Sequence, residues 1–369
     1  MSQPANPYRP FKVAASIGIV VLLCLAAFVS LRDREPGFEP DQRYLFQGKI
    51  AGLGPVAALL SLDGESPALQ LLTGDGQGWW EIYGERHGGE LSFAQVDYQE
   101  DVARTNRTFH CTLLDSPLAL LGTMTDLRTG RAHDFDLQPA AVYEVLRTRT
   151  GFRLGQRGWR ISFHGAVPRF LTPSDWEAEV IAGLREEVAD KGKTFTEELK
   201  PAWSERWRYV WEPSATSDWT LDTVWHVEYR SSQLLSFRAD HYSYTGGTHG
   251  NLETECQTYW RRDLDVQRVQ LADFFRSDSD WERRLSDFIV AELKRRRAAW
   301  VDDGEIKALD KDMLSIFTVS RPGLAFYFDP YAVGSYAEGR YRVFVPFKEL
   351  EPVLDTNGVL SALRSPGAK

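Results

Sequence analysis

The stretch WTLDTVWHVEYR (Trp219–Arg230), the turn residues SSQ (Ser231–Gln233) and LLSFRAD (Leu234–Asp240) decide how the chain folds. Successive side chains of a strand point to opposite faces, so Leu221, Trp225, Val227 and Tyr229 share one face, as do Leu235, Phe237 and Ala239 beyond the polar turn. The pattern predicts a β-hairpin half sunk in a core. On either side the apolar spacing changes to three and four residues. From about 194 to 210, Phe195, Leu199, Trp203 and Trp207 mark one helix face; from about 280 to 300, Trp281, Leu285, Phe288, Ile289 and Leu293 mark another, with Ser279 and Glu282 as its expected capping pair. Strands and helices are grouped rather than strictly alternating. This predicts an α+β domain over 147–365, with an antiparallel sheet and packed helices.

Toward the N-terminus, WRISFHGAV (159–167) reads as a strand, and Thr172-Pro173-Ser174-Asp175 with Glu177 forms a capping box that opens a helix. Residues 44–146 hold short apolar or alternating runs, from YLFQGKI to HDFDLQ, broken by glycine-rich turns. They predict a small antiparallel β domain, either a sheet or a half-open barrel. Toward the C-terminus a strand, RYRVFVPF (340–347), leads into a short helix carrying Leu350, Leu354 and Leu360.

The segment VAASIGIVVLLCLAAFVSL (13–31) carries no charge and matches the bilayer in length, so it predicts an uncleaved N-terminal transmembrane helix. Residues 1–12, with Pro4, Pro7 and Pro10, form a short cytoplasmic tail, and 32–43, including DREPGFEPD, form a linker. Arg9 and Lys12 precede the span while Arg32 and Arg34 follow it, so flanking charge leaves its orientation open.

Among 369 residues the formal net charge is -9, which argues against nucleic acid as a partner. The basic run Lys294–Arg297 closes a predicted helix, where cations meet the negative end of the helix dipole. Of three cysteines, Cys24 lies in the apolar segment. Cys111 and Cys256 lie in strand-like sequence, and both a single bridge and two buried thiols remain open for them.

The most distinctive string is YSYTGGTHGN (Tyr242–Asn251). Gly246 and Gly247 free the backbone, while Tyr242, Tyr244, Thr245, Thr248, His249 and Asn251 offer apolar bodies with polar tips, a combination suited to ligand contact. FYFDPYAVGSYAEG (Phe326–Gly339) adds a second aromatic turn with Tyr327, Tyr331 and Tyr336. A structural role for the glycines and His249 is the competing reading. Asp240 and His241 stand near His249 in sequence, but no nucleophile elbow, HExxH or phosphate-cradling loop occurs, and the eight-position separation of His241 and His249 is not a metal-ligand spacing. No catalytic residue, metal or cofactor is therefore assigned.

Taken in order, YSYTGGTHGN, LADFF (271–275), the 280–300 helix, GLAFYFDPYAVGSYAEG (323–339) and VFVPFKEL (343–350) resemble the RsiV-like domain family, otherwise of unknown function, over about 219–354. Residues 141–210 look like the module that accompanies this domain and precedes some polysaccharide deacetylases. Residues from Phe46 onward, with turn glycines Gly84, Gly89 and Gly122, are similar to a small β domain of bacterial envelope proteins. The family's namesake is an anti-sigma factor whose outer part binds lysozyme. The resemblance thus implies a single-pass protein of the bacterial inner membrane whose soluble part lies in the periplasm or outside, and which binds a lysozyme-like protein or a peptidoglycan fragment. No sigma factor is expected, because a tail of about a dozen residues cannot hold one. The expectation is a binding or sensing protein rather than an enzyme. An envelope hydrolase acting on peptidoglycan is the alternative, or an assembly role in which the β domain around Trp79 and Trp80 packs on a partner.

Overall fold

The computed structural model describes residues 37–364, apart from 63–65, 76–78, 100–101, 155–156 and 207–217. The expected tail and span (1–31) lie outside the described residues, among which no helix is long and apolar enough to cross a membrane.

The runs expected to form a β meander do so, as β1 (Phe38–Ile50), β2 (Gly54–Ser61), β3 (Ala68–Thr73), β4 (Trp79–His87), β5 (Glu90–Gln99), β6 (Val102–Asp115), β7 (Leu118–Asp126) and β8 (Arg131–Leu154). Each pairs with the next, and β1 also pairs with β8, so the ring closes into a barrel. Alternation sends Phe46, Leu60, Leu69, Phe93, Phe109 and Leu120 inward, where all are buried in one apolar core. Two of the three expected turn glycines prove to be strand residues. A Cβ on Gly84 would lie 2.2 Å from the Ser92 carbonyl oxygen, and one on Gly122 would lie 2.4 Å from that of His110, so both are needed for close strand contact; only Gly89 sits in a turn.

Two expected boundaries give way to strand. Residues 38–43, read as linker, belong to β1 because Asp41 is buried there between Arg43 and Arg147. The division expected between 146 and 147 falls inside β8, whose residues 131–137 pair with β7 while 141–154 pair with β9 (Arg157–Phe170).

After β9 comes α1 (Asp175–Arg206), then β10 (Asp218–Arg230), which lies parallel to β9. The sheet is thus not wholly antiparallel as expected: a 32-residue helix is long enough to carry the chain back for a parallel crossover. The two helices expected around 175 and 194–210 are this single one. It seats closely because Gly165 has no side chain; a Cβ there would meet Val188 Cγ1 at 2.2 Å. The hairpin forms as expected from β10 and β11 (Leu234–Tyr244), with Trp225 opposite Ala239 and Val227 opposite Phe237. β12 (Asn251–Arg262) and β13 (Asp265–Arg268) complete the sheet antiparallel.

One half of the expected capping box of α1 is seen, with Glu177 reaching back to Ser174. Ser174 N and Oγ donate to Glu177 Oε2 at 2.7 and 2.8 Å, and Arg230 Nε donates to Glu177 Oε1 at 2.7 Å. Burial alone would push the Glu177 carboxyl up, but Arg230 and Ser174 outweigh it and hold it below its ordinary value. A depressed carboxylate stabilises the fold above its unfolded pKa, and that contribution is lost as pH falls through the folded value. Glu177→Gln is therefore expected to cost about 1–3 kcal/mol near neutral pH. In urea unfolding the gap to wild type should shrink in acid; an equal gap at both pH values would refute the ionic contribution.

The C-terminal part builds a second sheet, β14 (Phe317–Ser320), β15 (Gly323–Phe328) and β16 (Tyr341–Pro346), covered by α2 (Trp281–Arg295). Phe274, Leu285, Ile289, Leu293, Val319 and Phe326 share its core. The expected cap of α2 is absent: Asp280 occupies the cap position, Ser279 Oγ turns to the Arg276 carbonyl at 2.6 Å, and Glu282 pairs with Lys311. Leu350, Leu354 and Leu360 are buried as expected, but Pro352 and Gly358 split their helix into short pieces, including α3 (Phe347–Leu350) and α4 (Val359–Arg364). Cys111 and Cys256 are both free thiols; burial pushes Cys111 up to about 12.

Candidate functional site

The β11–β12 turn and the loop between β15 and β16 meet. Gly246 and Gly247 both take positive φ (100° and 106°), and Tyr244 Oη donates to the Gly247 carbonyl at 3.1 Å, so the paired glycines shape a closed turn. Gly250 lies against the ring of Tyr242, where a Cβ would approach to 2.4 Å. The result is to present His249 outward. Its ring stacks on Tyr336 with centroids 3.7 Å apart and planes 20° apart, and Tyr336 Oη donates to the Gly250 carbonyl at 2.9 Å. Tyr331 stands 5.7 Å from Tyr336 and 6.5 Å from His249. It is 54% exposed with φ of 70°, so a large aromatic ring is held outward on an unfavourable backbone.

The far loop is held by polar contacts. Asp329 accepts from Thr254 N at 2.6 Å, from Thr254 Oγ1 at 2.5 Å and from Arg340 Nε at 3.0 Å. Arg340 also pairs with Asp240. At the other end, Glu338 accepts from Ser335 N at 2.7 Å, Ala299 N at 3.0 Å and Tyr341 Oη at 2.9 Å. Those backbone donors hold its carboxyl at about 2. The turn carrying Tyr336 is therefore anchored on both sides.

Of the residues singled out from sequence, Tyr242, Thr245, Thr248, His249, Asn251 and Tyr331 are exposed around this cluster, and Tyr336 forms its floor. Tyr327 does not join them. It is 2% exposed, next to Thr318 Oγ1 at 3.2 Å and under the Arg238 guanidinium, because its strand β15 is buried on both faces. Asp240 and His241, adjacent to the loop in sequence, diverge to opposite faces of β11. Asp240 pairs with Arg238, Arg340 and His226. His241 meets Lys191 Nζ at 2.9 Å and Glu255 at 3.3 Å beneath α1. Trp79 is turned inward, its ring 5.6 Å from the Arg238 guanidinium.

Sequence reading missed Asp329, Arg340, Thr254 and Glu338. The Asp329-Pro330 pair and the S-x-x-E spacing of Ser335 and Glu338 are the signals that could have pointed to two of them.

The family model for deacetylase PdaC matches residues 162–252, and that for DUF3298, a protein family of unknown function, matches 272–348. The chain carries a DUF3298 domain behind a PdaC-like one. The boundary differs from the sequence expectation, since the Tyr242–Asn251 loop falls within the PdaC-like match, in keeping with the continuous sheet from β9 to β12. The aromatic cluster joins the two matches: His249 comes from the PdaC-like segment, and Tyr331 and Tyr336 come from the DUF3298 domain. Peptidoglycan-N-acetylmuramic acid deacetylase PdaC of Bacillus subtilis (strain 168) is 24% identical over 166 residues, 44% of this chain and 35% of the relative, so the chain spans about a third of that protein. Crystal structures of DUF3298 family members from Bacteroides fragilis and Pseudomonas aeruginosa are similar, with TM-scores of 0.42 and 0.36 and identities of 17% and 16%. The first match covers 62% of this chain and 98% of that one, the second 58% and 94%.

Proposed function

We propose that this chain is an extracytoplasmic binding protein of the bacterial envelope, tethered through residues 13–31, which grips a peptidoglycan-type glycan on the His249–Tyr336–Tyr331 cluster. The observation that carries this reading is the exposed Tyr331 ring standing beside a stacked His–Tyr pair, with Thr245, Thr248 and Asn251 exposed on the adjoining turn. Flat apolar ring faces edged by hydroxyl and amide groups suit the C–H faces and hydroxyls of a sugar. The relative named for acting on peptidoglycan supports this choice of polymer over a lysozyme-like protein partner, the other ligand implied by the RsiV-like resemblance.

Isothermal titration of the full chain with soluble oligosaccharides of alternating N-acetylglucosamine and N-acetylmuramic acid tests the reading. Tyr331→Ala is expected to weaken binding about tenfold, roughly one aromatic contact, with the melting temperature unchanged. Unaltered affinity would remove the cluster as the site. Mass spectrometry of the recovered glycan distinguishes binding from turnover, and a cleaved or deacetylated product would establish the hydrolase alternative.

A further inference from the structure

An open pocket of about 400 Å3 lies on the sheet face opposite α1, lined by Arg43, Val145, Arg147, His164, Ala166 and Asp222 among others. Its position relative to the aromatic cluster follows from strand register. Arg147 on β8 stands opposite His164 on β9, His164 opposite Asp222 on β10, and Asp222 opposite Tyr242 on β11. Directly opposed residues share a sheet face, so these four side chains form one row. The His164 Nδ1 to Asp222 Oδ1 contact of 2.7 Å agrees with that placement. Tyr242 in turn packs on Gly250, whose carbonyl receives Tyr336 Oη. From Arg147 to Tyr242 are three strand spacings, roughly 14 Å, the reach of a short oligosaccharide rather than of one ring.

Charge along the row is uneven. At the Arg147 end, Arg43 and Arg147 both pair with the buried carboxylate of Asp41. The Arg147 side chain is 47% exposed, so its guanidinium can reach a second acceptor while it keeps Asp41. In the middle, His164 and Asp222 are half exposed and offer both donors and acceptors. At the other end stand the rings of Tyr242, His249 and Tyr336. The sequence of chemistries is cation, hydrogen-bonding pair, aromatic platform.

We propose that this pocket is a second subsite of the same glycan site, in which Arg147 receives a carboxylate borne by the saccharide, His164 and Asp222 meet its hydroxyl or amide groups, and a neighbouring sugar lies on the aromatic cluster. The inference rests on the glycan reading of that cluster and deepens it by specifying an acidic saccharide.

The full chain is titrated with a tetrasaccharide of alternating N-acetylglucosamine and N-acetylmuramic acid, and with the same tetrasaccharide after reduction of its carboxylates to alcohols. Wild type is expected to bind the acidic form at least about tenfold more tightly, in line with a charge-assisted bidentate contact. Arg147→Met should abolish that preference, with circular dichroism and thermal melting showing that the variant is folded, and Arg147→Lys should restore part of it. Equal wild-type affinity for the two sugars, or a preference that survives in Arg147→Met, overturns the subsite and leaves the aromatic platform standing. Binding of neither sugar overturns both.

Discussion

Arg238→Ala is expected to lower the unfolding free energy by about 3–5 kcal/mol, the cost of removing one partner from a buried ion pair. The Arg238 side chain is 1% exposed; its Nε donates to Glu228 Oε1 at 2.9 Å and Nη1 pairs with Asp240. The rings of Trp79 and Tyr327 flank the guanidinium at 5.6 and 5.4 Å. Truncation strips the cation from two carboxylates at once. Asp240 would keep His226 and Arg340, whereas Glu228, 6% exposed, would lose its ion-pair partner. Burial alone would push the Asp240 carboxyl up, yet Arg238, His226 and Arg340 together hold it well below its ordinary value. Stability from such a depressed carboxylate is present above the unfolded pKa and is lost as pH falls through the folded one. The gap between wild type and Arg238→Ala in chemical denaturation should thus be widest near neutrality and narrow in acid. Arg238→Met, which restores bulk but not charge, should recover only the packing part. Wild-type stability in the methionine variant would show that the charge contributes nothing.

Asp329→Ala is expected to cost about 2–4 kcal/mol and to release the Tyr331–Tyr336 turn. Without the carboxylate, the N–H and hydroxyl of buried Thr254 lose their acceptor, and each stranded group costs about 1–3 kcal/mol unless water reaches it. Arg340, at the other end of the same loop, retains Asp240 but loses its bond to position 329, so the two ends of the loop are no longer joined. Amide hydrogen exchange should accelerate at Thr254 and through residues 331–338, and glycan binding should fall by more than the loss of any one ring. Asp329→Asn, which keeps an oxygen acceptor, should restore part of both. Wild-type protection at Thr254 in the alanine variant would dismiss the clamp.

Much of the fold was legible because alternation and helical spacing are local. The meander strands, the hairpin around Ser231–Gln233 and the Ser174–Glu177 cap all formed where those periodicities placed them. What escaped depends on contacts between distant residues. Asp41 reads as linker until Arg147, 106 positions away, is placed beside it. Gly84 and Gly122 read as turns because a missing side chain looks the same in sequence whether it permits a bend or a close approach. The same limit applied to the site. Both aromatic loops were visible as strings, but their meeting depends on Asp329 reaching Thr254 across 75 positions. Tyr327 illustrates the opposite error: its neighbours Phe326 and Phe328 suggested a sticky turn, when all three lie in a strand buried on both faces.

Strand β8 has a consequence for how the molecule comes apart. Its first residues pair with β7 in the barrel wall, its later ones carry β9, and Arg147 near its centre shares Asp41 with Arg43 of β1. Opening the barrel therefore strips the edge from the sheet, and opening the sheet unseats Arg147 from the barrel's buried carboxylate. The two ladders are one cooperative unit, so local unfolding that reaches β8 from either side exposes the other. Proteolysis between 146 and 147 would sever a single continuous strand rather than free two separate modules, and the Arg147 end of the Arg147–Tyr242 row would be lost with it.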